Sequence, residues 1–145
     1  LLFYPMDFSS VCPSEILEFH AKSGEFEKRG CVLAGISVDS VCAHVAWRAC
    51  GPDRNGVGPI SFPLLSDPRR IVSRVYGILH DDAVALRGLF LIDKGGFVRH
   101  CVVNDLPLVR SADEALRMID ELQSFEKNGE VCRLGGKNSA VRGTD

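Results

Sequence analysis

Residues 3–16 read Phe3-Tyr4-Pro5-Met6-Asp7-Phe8-Ser9-Ser10-Val11-Cys12-Pro13-Ser14-Glu15-Ile16. Within this stretch an apolar run gives way to a turn, a cysteine and a helix start. Leu1 to Tyr4 read as the end of a buried strand. Pro13 suits the first position of a helix, where its missing N–H removes no intrahelical bond. A strand that passes through a short loop into a helix opens an α/β unit, and it puts Cys12 at a helix N-terminus. There the unpaired backbone N–H groups and the positive end of the helix dipole favour a thiolate over a thiol. The opposing reading is a small buried hydrophobe, because free cysteine is among the most often buried residue types.

Beyond this stretch, residues 14–29 place Ile16, Leu17, Phe19 and Phe26 at helical rather than alternating spacing, and Gly30 ends that helix. Cys31 to Val38 form an apolar, partly β-branched run, the pattern of a strand buried on both faces. Asp39 and Ser40 cap a second helix that carries Val41, Val45 and Trp47 and stops before Gly51-Pro52. Asp53 to Pro59 form a Gly-rich loop without the Gly-Lys-Ser/Thr ending of a phosphate-binding loop. Ile60 to Leu65 suggest a short strand, Asp67-Pro68 a helix start and Tyr76-Gly77 its end. Gly88–Asp93 and Phe97–Val103, joined by Lys94-Gly95-Gly96, form the clearest hairpin. Ser111 with Glu114 three residues on is a capping-box pattern, opening a last helix with Leu116, Ile119 and Leu122. From Asn128 the sequence is polar and Gly-rich. Helices alternating with strands, plus one antiparallel hairpin, predict an α/β protein of thioredoxin-like fold, a mixed β-sheet flanked by helices.

With 145 residues, 46% hydrophobic and 25% charged, the chain suits one domain with a real core. A net charge of −2 and a pI near 6.1 give no electrostatic reason to expect nucleic acid or an anionic membrane surface as partner. No apolar stretch approaches the ~20 residues of a membrane span. The six cysteines (12, 31, 42, 50, 101 and 132) show no close pairing, and the histidines at 20, 44, 80 and 100 are scattered. A disulfide framework and a zinc site are therefore both disfavoured, and a reducing compartment with one or two working thiols is the simpler account. Cys31 and Cys101 are expected on buried strands, Cys42 and Cys50 on a helix.

The run Pro5-x-x-x-Ser9-x-x-Cys12 with Pro13 and Glu15 behind it resembles the active-site loop of the peroxiredoxins, and the wording of residues 3–16 resembles the typical two-cysteine subgroup. The similarity continues through SVDS at 37–40, HVAW at 44–47, ALRGLFLID at 85–93, VNDLP at 103–107 and NGEVC at 128–132. Members of that family normally carry further strands and a helix before this point, so the sequence reads as lacking its N-terminal part. Any targeting segment would lie there. An intracellular location is expected, and cytoplasmic or mitochondrial residence is left open.

The resemblance implies a thioredoxin-dependent peroxidase without metal, haem or flavin. In it Cys12 attacks hydrogen peroxide or an organic hydroperoxide, and Arg87 supports the thiolate and donates to peroxide oxygen. It also implies that Ser9 and Pro5 shape the pocket while Glu15 and Arg110 hold Arg87. On residue type alone, Arg87 could equally be a solvated strand-start arginine, Ser9 a helix cap, and Glu15 and Arg110 exposed charges. Cys132, in the polar tail, is implied as the resolving cysteine that forms an intersubunit disulfide with Cys12 of a partner copy, which a thioredoxin-like protein then reduces. That requires a homodimer, possibly part of a higher ring. Arg133 and Gly136 depart from the family pattern, which usually has proline and tryptophan there. Residues 1–127 are expected to form the peroxidase domain and 128–145 the tail. The alternatives of another class are a holdase chaperone or redox-signalling oligomer of the same fold, and an inactive fragment.

Overall fold

The computed structural model describes residues 1–129. In chain order the elements are β1 (Leu2–Phe3), α1 (Cys12–Ala21), α2 (Ser23–Lys28), β2 (Gly35–Ser37), α3 (Val41–Ala49), β3 (Leu64–Ser66), α4 (Ile71–Val75), β4 (Leu79–His80), β5 (Val84–Ala85), β6 (Arg87–Ile92), β7 (Val98–Asn104) and α5 (Ala112–Asn128). Five strands form one mixed sheet in the order β3-β2-β1-β6-β7. β1, β2 and β3 run parallel, while β6 is antiparallel to both β1 and β7. This is the α/β, thioredoxin-like arrangement that the alternation predicts.

The middle strand shows why both faces are covered. Side chains alternate along a strand, so Leu2 and Tyr4 enter the larger core with Ile16, Phe19, Trp47, Leu116 and Ile119, while Phe3 enters a smaller one with Ile36, Ile78, Ala85 and Phe90. On the smaller side Phe3, Tyr76 and Phe90 meet pairwise, with ring centroids 4.7 to 5.6 Å apart. Each such pair contributes about 0.5–1.5 kcal/mol beyond the area it buries.

Register positions the chemistry. Leu2 stands opposite Leu89 in the antiparallel β1–β6 pair. Two residues on from Leu2 is Tyr4, and two back from Leu89 is Arg87. Arg87 is thereby level with the point where β1 ends and the Cys12 loop begins.

Several expected boundaries move, each for a local reason. The helix over 14–29 begins earlier, at Cys12, and is broken at Lys22 into α1 and α2. The strand over 31–38 is confined to Gly35–Ser37, because β1 and β3 offer paired residues only there; Val32 is 85% exposed. The strand over 60–65 starts only at Leu64. Arg48 on α3 donates to the carbonyls of Ile60 and Phe62 at 2.9 and 3.1 Å, which ties that stretch to a helix rather than to a ladder. Asp67 does cap α4, accepting from the backbone of Val72 and Ser73 at 3.2 and 2.8 Å, although the helix proper begins at Ile71. The β4–β5 ladder turns through Asp81 and Asp82, both with positive φ (48° and 52°), and no glycine betrays that turn. The β6–β7 hairpin and the Ser111 cap, which accepts from Glu114 N at 3.4 Å, stand as expected. Glu114 turns its carboxylate to Arg117 rather than back to the cap.

Two cysteine assignments are corrected. Cys101 lies on the outward side of β7, an edge strand, and is exposed. Cys31 is half-buried on an irregular stretch before β2, and burial pushes its thiol up. Cys42 is exposed on α3 as expected, and Cys50 is the extended residue that caps that helix.

Candidate active site

Cys12 is the first residue of α1, followed by Pro13, and its side chain has no exposed surface. Ser9 Oγ accepts a hydrogen bond from the Cys12 backbone N–H at 3.1 Å. Ser9 thus satisfies the first N–H of the helix although the N-cap position itself is Val11, and its own hydrogen remains able to donate. Pro5 is buried at the start of the loop. Between them Phe8 has φ of 54°. The left-handed region costs a non-glycine residue about 1–2 kcal/mol, so neighbouring contacts must hold the turn in place.

Arg87 is 2% exposed, not solvated. Its Nε donates to the Leu106 carbonyl at 2.5 Å, and its Nη1 donates to Glu15 Oε2 at 3.0 Å and to Cys12 Sγ at 3.5 Å. Glu15, three residues along α1 from Cys12, is 1% exposed. It also receives Arg110: Nε to Oε1 at 2.8 Å, Nη2 to Oε2 at 2.7 Å, and the Arg110 backbone N–H to Oε1 at 2.8 Å. Arg110 Nη1 donates to the Gly88 carbonyl. The exposed-charge reading of Glu15 and Arg110 is thereby overturned. Burial on its own would push the Glu15 carboxyl up, but hydrogen bonds and charge from Arg110, with the charge of Arg87, hold it below the usual carboxylate range.

The three buried side chains sum to one positive charge. Cys12 Sγ accepts from the Arg87 guanidinium of that group.

A second buried network was not foreseen from the sequence. Asp7, on the loop between Pro5 and Ser9, accepts from the Tyr4 hydroxyl at 2.8 Å and faces His44 Nδ1 at 2.7 Å. His44 Nε2 faces the Leu65 carbonyl at 3.1 Å. The Asp7 backbone N–H donates to Asp39 Oδ2 at 2.9 Å. Burial disfavours a charged His44, but the Asp7 carboxylate and the Leu65 carbonyl outweigh it and raise the imidazole above its ordinary value. The Tyr4 hydroxyl is pushed well up by burial and by the Asp7 charge. Both partners stood in the quoted segments, but spacing gives no sign that residues 37 apart meet.

Of the expected site residues, Cys12, Ser9, Glu15, Arg87 and Arg110 are brought together, and Pro5 lies on the same loop. Cys132 lies outside the described residues. Among the described residues no group of three or more His, Cys, Asp or Glu side chains could hold a metal ion.

A sequence model of the AhpC/TSA family matches residues 1–101. Alkyl hydroperoxide reductase C of Helicobacter pylori is 48% identical over 135 residues, which cover 93% of this chain and 68% of that protein. Peroxiredoxin-2 of Macaca fascicularis is 47% identical over 138 residues, covering 94% and 70%. The reduced 2-Cys peroxiredoxin of Plasmodium vivax superposes with a TM-score of 0.92 at 44% identity, over 97% of this chain and 72% of that one. The cysteine at a helix start, the arginine on its sulfur and these likenesses agree, and the chain belongs to the AhpC/TSA family, as a typical two-cysteine peroxiredoxin.

Proposed function

We propose that this chain reduces hydrogen peroxide and small organic hydroperoxides with Cys12 as the attacking group. The observation that carries the reading is Arg87 Nη1 at 3.5 Å from Cys12 Sγ, in a guanidinium pinned by Leu106 and Glu15. In the first step the Cys12 thiolate attacks one peroxide oxygen, the O–O bond breaks, Cys12 becomes a sulfenic acid, and the alkoxide or hydroxide leaves and takes a proton. Charge moves from sulfur to the departing oxygen. Preorganised donors beside that path, Arg87 and the Ser9 hydroxyl, stabilise the transition state more than the ground state. The full burial of Cys12 supports a preference for small peroxides.

Cys132, in the 128–145 tail beyond the 1–127 peroxidase domain, then attacks the sulfenic sulfur of a partner copy. A disulfide forms and water leaves, and a thioredoxin-like dithiol restores both thiols by exchange. Dimer formation draws support from β7, which among the described residues pairs with β6 alone and carries the exposed Val98 and Val103. A reducing intracellular compartment, cytoplasmic or mitochondrial, rests on the cysteine spacing.

Replacing Cys12 with serine tests the reading. Peroxide consumption driven by a dithiol reductant is expected to vanish while the fold persists. Undiminished consumption in a folded Cys12→Ser variant would overturn it, and protection of a client from aggregation that survives the change would point to the holdase reading.

A further inference from the structure

The loop that carries Pro5 and Ser9 has few anchors of its own. Met6 and Phe8 are each 43% exposed, and Phe8 reaches the core through a tilted ring contact with Trp47, centroids 6.4 Å apart. Phe8 adopts φ of 54° without being glycine, one residue before the serine that accepts from the Cys12 N–H. A turn in a sparsely populated conformation persists when its surroundings over-determine it. Here those surroundings are the contacts of Asp7. Its carboxylate is shared between the Tyr4 hydroxyl and His44 Nδ1, and its backbone N–H is held by Asp39. Asp7 and His44 are 6% and 3% exposed. Because His44 is also tied to the Leu65 carbonyl on β3, the loop is fastened to both a helix and a strand that touch neither Cys12 nor Arg87 in the hydrogen-bond network.

We infer that His44 is a positioning residue for the peroxide reaction: by donating from Nδ1 to Asp7 it holds the strained Phe8 turn, and with it the Ser9 hydroxyl, in line with Cys12. The inference rests on the peroxidase reading above and adds a residue outside the Cys12–Arg87 cluster. Around the imidazole stand Asp7 from the loop, Asp39 from the turn before α3, the Leu65 carbonyl from β3 and, through Asp7, Tyr4 from the end of β1. With a carboxylate on one nitrogen and a carbonyl on the other, the doubly protonated ring satisfies both contacts. A neutral ring can donate to only one. The raised proton affinity of His44 agrees with this.

Three substitutions separate positioning from bulk stability. An asparagine amide at position 44 reproduces the reach of Nδ1 and keeps a donor for Asp7. A glutamine amide reproduces Nε2 and gives that donor up. Asp7→Ser cuts the same link from the loop side and leaves no buried carboxylate behind, so it serves if His44→Gln does not fold. For each folded variant the second-order rate constant of Cys12 with hydrogen peroxide is measured beside its rate of alkylation by iodoacetamide. Both reactions need an ionised, reachable sulfur, but only the first needs Ser9 and Arg87 aligned on an O–O bond.

His44→Gln and Asp7→Ser are expected to lose about tenfold or more with peroxide, since ~1 Å of misplacement costs up to about 10²-fold. Their alkylation should hold steady or quicken, and His44→Asn should retain most of the peroxide rate. The inference is overturned by peroxide rates within about twofold of the parent in the cut variants, where tenfold would correspond to ~1.4 kcal/mol. It is also overturned if both reactions slow together, or if His44→Asn falls as far as His44→Gln. Failure of the peroxidase reading itself would look different, because the parent protein would then not react rapidly with peroxide at Cys12.

Discussion

Arg87 Nη1 lies 3.5 Å from Cys12 Sγ and 3.0 Å from Glu15 Oε2, so a single nitrogen joins the Cys12 sulfur to a buried carboxylate. With Nε fixed on Leu106, the guanidinium plane is set from two sides and aimed at the sulfur. A lysine keeps the charge but offers no rigid fork that could serve sulfur, carboxylate and carbonyl together. Arg87→Lys is therefore expected to lower the peroxide rate constant of Cys12 by about 10²–10³, the usual effect of losing one preorganised donor. Stopped-flow fluorescence measures it; a loss smaller than about threefold would assign Arg87 to structure alone.

Arg110 should matter more for stability than Arg87. It reaches both oxygens of Glu15 and the Gly88 carbonyl, and removing its side chain leaves the carboxylate with Arg87 Nη1 and one backbone N–H. Arg110→Ala is expected to cost about 3–5 kcal/mol, the range for breaking a buried pair. Arg87→Ala leaves Glu15 held by Arg110, and its cost should stay near ~1–3 kcal/mol. Urea unfolding of both variants gives the order, and a reversed order would contradict this division of labour.

Glu15 makes part of the stability acid-sensitive. Its folded carboxyl is held below the ordinary carboxylate range despite the opposing effect of burial. Its contribution is therefore complete above about pH 4.3, the unfolded value, and disappears as pH falls through the lower folded value. Glu15→Gln should be less stable than the parent at neutral pH, with the gap narrowing in acid. Unfolding curves at several pH values between neutrality and 3 check this; a constant gap would mean that Glu15 is not ionised in the folded protein.

Gly56 should tolerate no side chain. It lies in the loop after α3, where a Cβ would sit 2.0 Å from the Cys50 carbonyl oxygen, a backbone atom that cannot swing away. The neighbouring Trp47 indole donates to Asn55 O at 2.6 Å and fixes the same loop. Gly56→Ala is expected to destabilise by roughly 1–3 kcal/mol through overpacking and to alter Trp47 fluorescence. Unchanged stability and emission would show that the loop packs differently.

Much of this was legible in the sequence because the signals were local. Pro13 after Cys12 marked a helix start, Ser111 with Glu114 marked another, and Lys94-Gly95-Gly96 between apolar runs marked the hairpin. The burial of Glu15, Arg87 and Arg110 was not local. Each reads as a surface charge until antiparallel register sets Arg87 level with the Cys12 loop, and only resemblance to a family anticipated the cluster. The Asp7–His44 contact had no sequence signal at all, since its partners come from a loop and a helix separated by β2. Cys101 is misplaced because apolar neighbours imply a buried strand without saying whether that strand lies at the edge of the sheet, and Cys31 because its apolar run begins before the ladder of β2 does.

The most direct test of Cys12 as the attacking group is to trap the oxidised sulfur. In a Cys132→Ser background, which blocks resolution, one equivalent of hydrogen peroxide is added in the presence of dimedone, and each cysteine peptide is weighed. The account predicts the dimedone adduct of a sulfenic acid on the Cys12 peptide, with Cys31, Cys42, Cys50 and Cys101 unmodified. Adduct on the exposed thiols Cys42 and Cys101 with none on Cys12 would contradict it.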